Sequence, residues 1–258
     1  MNIRHFLDIL MMFLVPFLIV LIPIYIGQYY GIYHSKRSSD LQNAPVGTVV
    51  GAAFGLLAFM LAFIFQIAAN RYDARKELLL EEVTNIRTTY LRAGLLPEPF
   101  RSGTKEMLVE YVDLRIEIAK DTSKIDFALS RSQEILDRLW DYTETLAEMD
   151  RSSEVYALYT TSVNDLVDNF NQRVTMTFEY RMPVFVLWIV FIIAFFSMFT
   201  LGYNFGISGK GNFRINVLLA FIFALVMLLI IALDRPETGL AKLNQKPMYT
   251  LQRQLHGK

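Results

Sequence analysis

The sequence predicts an all-α integral membrane protein: four transmembrane helices, with a cytoplasmic helical bundle inserted between the second and third spans. Three observations lead there. Four apolar stretches are each long enough to cross a hydrocarbon core, which takes about 20 helical residues. The remaining sequence repeats its apolar residues at helical spacing, and no stretch alternates as a strand does. The composition, 53% hydrophobic and 19% charged, is too apolar for an ordinary soluble domain of 258 residues. The expected divisions are residues 1–70 (spans one and two), 71–182 (the helical domain), 183–233 (spans three and four) and 234–258 (a cytoplasmic tail).

The first span is read from about Phe6 to Ile26. Arg4 precedes it, as in a signal peptide, but the apolar run is longer than an h-region and no A-x-A-like site follows, so the segment is expected to stay in the membrane. The second span covers about Val46–Ala69. Spans three and four cover about Pro183–Leu201 and Ile215–Leu233. Basic residues near the span ends set the orientation. One side carries Arg4, Arg71, Arg75, Lys76, Arg173, Arg181, Arg235, Lys242 and Lys246; the other carries only Lys36, Arg37, Lys210 and Arg214. Both termini and the middle segment are therefore expected in the cytoplasm.

Within the middle segment, "YLRAGLLPEPFRSG" is the clear break, with Gly94, Pro97, Pro99 and Gly103. Helices are expected at about Thr104–Lys120, at Ser130–Glu148 with Ser130 and Gln133 as a capping box, and at Ser153–Tyr180. Arg181, Met182 and Pro183 then lead into the third span.

The second span raises a question: it enters charged sequence without a stop. From Val46 to Ala93 there is no proline, and Gly55 is the last glycine before Gly94. One helix over that interval would be about 70 Å long, at about 1.5 Å per residue. Its small residues Gly47, Gly51, Gly55, Ala58, Ala62 and Ala69 share a face, and such spacing lets backbones approach closely in lipid. Opposite that face lie Val49, Leu56, Met60, Ile64 and Ile67. Beside the small face, Thr48, Phe59, Phe63, Gln66, Asn70 and Asp73 fall within a sector of roughly 80°, at about 100° per residue. The stripe continues through Glu77, Glu81, Thr84 and Thr88. Polar groups at membrane depth need partners or water. If this face lines an aqueous path, Phe59 and Phe63 form its narrow, dewetting constriction. The alternative is plain: Gln66 bonded to a neighbouring helix and the acids on a solvated helix face.

Other chemistry is missing. There are no cysteines, and His5, His34 and His256 are scattered, so no metal centre or nucleophile–histidine pair is suggested. Glu81 and Glu82 are adjacent and point in different directions on a helix, which argues against an acid–base pair. "GYNFGISGKGNF" lacks the glycine and the Ser or Thr of a phosphate loop, at Asn204 and Gly211, and reads as a flexible turn. Net charge is zero, with 25 basic and 25 acidic residues, which gives no reason to expect nucleic acid. No enzyme activity and no cofactor are expected.

At "NRYDARKELLLEEVTNIRTTYLRAGLLPEP", with "LGYNFG" after the third span and "LDRPETGL" after the fourth, the chain resembles the bestrophin-like family of bacterial membrane proteins, as far as "KPMYTLQRQL". More distantly it is similar to the bestrophins, with Asn70, Tyr72, Asp73 and Arg75 in corresponding places. The resemblance implies a pentameric channel of the inner membrane, with the second span lining the pore and Phe59 and Phe63 as its apolar rings. Its partners would be lipid, further copies of itself and inorganic ions. Bestrophins conduct anions; here Asp73, Glu77 and Glu81 would favour cations. Asp234 and Glu237 offer too few oxygens for the calcium clasp of animal bestrophins, and Ala232 stands where a further acid is expected. In "ALDRPETGL", Pro236 stops the last span after Asp234 and Arg235. Asp234 either pairs with Arg71 or Arg75, tying the fourth span to the second, or marks an ordinary interfacial stop. The competing class is a non-conducting signalling or scaffold protein whose helical domain binds a partner.

Overall fold

The computed structural model describes residues 3–36, 45–178, 182–209, 211–235 and 240–257. Among them are eight α-helices and no strand. They are α1 (Ile3–Ser35), α2 (Val46–Ala93), α3 (Phe100–Lys120), α4 (Ile125–Met149), α5 (Glu154–Phe178), α6 (Val184–Ser208), α7 (Phe213–Asp234) and α8 (Lys246–Leu255). A 3₁₀ turn, Thr122–Lys124, joins α3 to α4. The chain forms two compact units, residues 1–73 with 181–242 and residues 74–180 with 243–258. Helix α2 contributes to both as one unbroken helix of 48 residues.

In the first unit, α1, α2, α6 and α7 are each long and apolar enough to cross a membrane. They enclose a core of Val20 and Ile24 from α1, Leu57, Ile64 and Ala68 from α2, Val190, Ala194 and Met198 from α6, and Phe223 and Met227 from α7. Their outer faces expose Ile22, Trp188, Phe196, Ile222 and Leu229, as expected where lipid rather than water is the solvent. Helix α1 continues past the expected Ile26 and accommodates Pro16 and Pro23. Proline is tolerated in membrane helices when neighbouring helices re-satisfy the freed carbonyls.

The closest helix packing in this unit is between α1 and α6. A Cβ on Gly202 would meet the backbone of Ile24, 2.7 Å from its carbonyl carbon; one on Gly206 would lie 2.8 Å from the Cα of Gly31. Gly27 and Gly31 oppose them in the same way, against Phe199, Tyr203 and Gly206. This corrects one expectation. Gly202 and Gly206 belong to α6, not to a flexible turn, which starts only at the left-handed Gly209 (φ 63°). A Cβ on Gly47, Gly51 or Gly55 of α2 would meet nothing within 4 Å among the described residues.

The second unit is a bundle of α3, α4, α5, α8 and the later part of α2. Its core holds Leu79, Ile86 and Ala93 of α2, Leu108 and Tyr111 of α3, Ile135 and Leu139 of α4, Tyr159 and Leu166 of α5, and Met248 and Leu251 of α8. Helix α4 begins at Ile125, so Ser130 lies inside it and caps nothing; the next serine, Ser132, donates to the carbonyl of Ala128. Ser153 does stand before α5, where its hydroxyl accepts from the Tyr156 amide. The end of the helix expected to reach Tyr180, and the Arg181 junction, lie outside the described residues. The expected tail contains α8, which lies against α3: Gln252 donates to Asp113 at 2.6 Å.

Candidate functional site

Helix α2 has an exposed stripe along its length and, from Leu57 onward, a buried spine. The spine is Leu57, Ile64, Ala68, Arg75, Leu79, Glu82, Ile86, Thr89 and Ala93, spaced by three, four or seven residues. That spacing keeps the same side of a helix toward its neighbours. On the other side, within the first unit, Thr48, Gln66, Asn70 and Asp73 are exposed, and Phe59 and Phe63 are 66% and 55% exposed. In the second unit Glu77 and Glu81 continue the stripe. Gln66 donates to Asn70 at 2.7 Å, so these two amides are held together on the exposed side, one turn apart. Of the residues opposite the small face, Ile64 is fully buried and Val49 and Leu56 are exposed.

At the end of α7, the Asp234 carboxylate is buried and accepts from the Arg71 guanidinium at 3.2 Å and from the backbone N–H of Met182 at 3.3 Å. One carboxylate therefore ties α7 to α2 and to the entry of α6. Arg71, one of the two arginines weighed from the sequence, makes an ion pair with it. Arg75, four residues on, lies in the second unit. Arg235 is the C-cap of α7, and its N–H bonds the carbonyl of Ile231. Pro236 lies outside the described residues.

The sequence reading missed a charged cluster in the second unit. Glu82 is completely buried and accepts from the Tyr111 hydroxyl at 2.8 Å and from the Arg115 guanidinium at 3.0 Å. It also pairs with Arg173 of α5. Burial lowers the Arg173 guanidinium to about 10, still well above neutral pH, so this side chain stays protonated. Burial likewise raises the Tyr111 phenol above its ordinary value, against the opposing pull of Arg115. The signal was available: Glu82 stands on the stripe Leu79, Ile86, Thr89, where an unpaired acid would be costly.

Glu81, its neighbour, is exposed and accepts from Asn169 of α5 at 3.3 Å. Helix α5 follows α2 through further side-chain bonds to backbone carbonyls. Asn85 donates to Asp165, Thr89 to Ser162 and Arg92 to Leu158, at 3.2, 3.1 and 2.6 Å.

Four membrane-length helices and a helical insert, with one long helix shared by both units, define a class of multi-span membrane protein. The model of the bestrophin-like domain matches residues 17–248, and the chain belongs to that family. Solved structures share the fold. A bacterial bestrophin homologue from Klebsiella pneumoniae carrying L177T is 16% identical with TM-score 0.64, over 97% of this chain and 98% of that one. Its D269A form gives 16% and 0.65 over 97% and 98%, and the form phased with zinc gives 14% and 0.61 over 92% and 96%. No curated protein matches the sequence.

Proposed function

We propose that the protein is an ion channel of the inner membrane, a homo-oligomer in which α2 lines the pore. One observation carries this reading: the stripe from Thr48 to Glu81 stays exposed, while from Leu57 onward the opposite side of the same helix is buried. Phenylalanines, paired amides and acids along one side of a helix suit a conduit better than lipid, which gives a carboxylate no partner. Phe59 and Phe63 form the constriction, Thr48, Gln66 and Asn70 line the pore, and Asp73, Glu77 and Glu81 attract cations at its extension. Gly47, Gly51 and Gly55, with no neighbour within 4 Å of a Cβ among the described residues, let an adjacent copy approach closely. The family supports a pentamer, and the basic residues support a cytoplasmic second unit and cytoplasmic termini.

The test is ion flux in liposomes for the native protein, Phe59→Ala and Phe63→Ala. Either substitution should raise leak by widening an apolar neck. Negligible flux in all three would overturn the reading in favour of a non-conducting scaffold. Protease cleavage near Leu96–Ser102 from outside intact cells would contradict the cytoplasmic placement.

A further inference from the structure

The second unit differs in charge on the two flanks of α2. Taking Thr84 as the middle of the exposed stripe, the residues bonded to α5 (Leu78, Asn85, Thr89) lie roughly 100–140° to one side, at about 100° per residue. On the other side, roughly 60–100° away, Val83 and Arg87 face α8. Between α2 and α8 is an open groove of about 450 Å³, lined by Val83, Arg87, Lys246, Pro247, Thr250 and Leu251 among others.

The α8 flank is basic. From Leu240 to Gly257 the described chain holds no Asp or Glu, and neither Arg87 nor Lys246 has an ionic partner among the described residues. The α5 flank is acidic. Glu154, Asp165 and Asp168 are exposed, and Ser152–Gln172 holds no Lys or Arg. Arg173, the next cation, is committed to Glu82.

We propose that the α2–α8 groove of one copy receives the acidic α5 face of the next. The inference rests on the pore reading above. When the exposed stripes of several α2 helices face a common axis, the α8 flank of each copy meets the α5 flank of its neighbour, the head-to-tail contact from which closed rings are built. Opposite charge on those flanks favours that contact, whereas a two-fold pairing of identical flanks sets like charges together. Asp168 and Asp165 meet Lys246 and Arg87, with Val83, Pro247 and Leu251 as the apolar floor.

The chain has no cysteine, so introduced thiols are unambiguous. Two differently tagged full-length chains, one Lys246→Cys and one Asp168→Cys, are co-expressed in membranes and treated with a short bismaleimide. An ion-paired Lys and Asp sit too far apart at Cα for a direct disulfide, which needs less than about 7 Å. The expected product carries both tags. A chain bearing both cysteines should give a ladder ending at the ring size, while Lys246→Cys alone gives no linked species. As an independent check, Arg87→Glu with Lys246→Glu should abolish the oligomer seen by native mass spectrometry. Adding Asp165→Lys and Asp168→Lys should restore it. Oligomers without the 246–168 link, or Lys246→Cys linking to itself, overturn this interface and leave the pore reading standing. A native chain that remains monomeric in lipid overturns both.

Discussion

Replacing Glu82 by alanine tests the packing of the second unit most sharply. The carboxylate is 0% exposed, and the Arg115 and Arg173 side chains around it are only 9% and 17% exposed. Glu82→Ala leaves two guanidinium groups and the Tyr111 hydroxyl facing a cavity with no counter-charge. Removing one partner of a buried ion pair costs about 3–5 kcal/mol. For a chain of this size, each kcal/mol lowers the melting temperature by roughly 2–4 °C, so a fall of about 6–20 °C is expected. Glu81→Ala is the control, one residue away but exposed, with an expected change within about 0.5 kcal/mol. Thermal unfolding of both variants in the same detergent measures the difference. Equal melting temperatures for the two would refute the assignment of Glu82 as the central ion of the cluster.

Two further outcomes follow from the first unit. Gly202→Ala or Gly206→Ala forces a methyl group against the backbone of α1 and should destabilise by about 1–3 kcal/mol, while Gly51→Ala, whose methyl meets nothing within 4 Å among the described residues, should not lower the stability of a dispersed monomer. Thermal unfolding of the three variants after dilution into detergent compares them. Asp234→Ala removes the acceptor of both the Arg71 guanidinium and the Met182 N–H, so it should cost more than Arg71→Met, which removes one of those two contacts. A larger loss for Arg71→Met in the same assay would contradict that ranking.

The long helix was legible because a negative signal is strong: with no Gly or Pro from Ala58 to Ala93, nothing could end it. The stripe of Phe59, Phe63, Gln66 and Asn70 was legible for the same periodic reason. The α1–α6 seam was not. Glycine favours both turns and close helix contacts, and only the opposing Gly27 and Gly31 decide that Gly202 and Gly206 serve the contact. Helix α8 escaped notice because it is short and polar, and its two buried residues, Met248 and Leu251, gain meaning only against α3. Glu82 was judged beside Glu81 rather than with Leu79 and Ile86. Sequence adjacency hid a residue whose partners lie on α3 and α5. The absence of cysteine, by contrast, is plain in the sequence and gives the most direct assay of the pore reading.

That assay is block of ion flux by a thiol-reactive cation in liposomes carrying single-cysteine variants. Phe63→Cys on the α2 stripe and Ile222→Cys on α7 are both exposed in one chain, at 55% and 51% in the native side chains. If the stripe faces water at a shared axis, the reagent stops flux through Phe63→Cys and leaves Ile222→Cys conducting. Flux through Phe63→Cys that the reagent leaves untouched would place that side of α2 away from the conducting path and contradict a pore lined by α2.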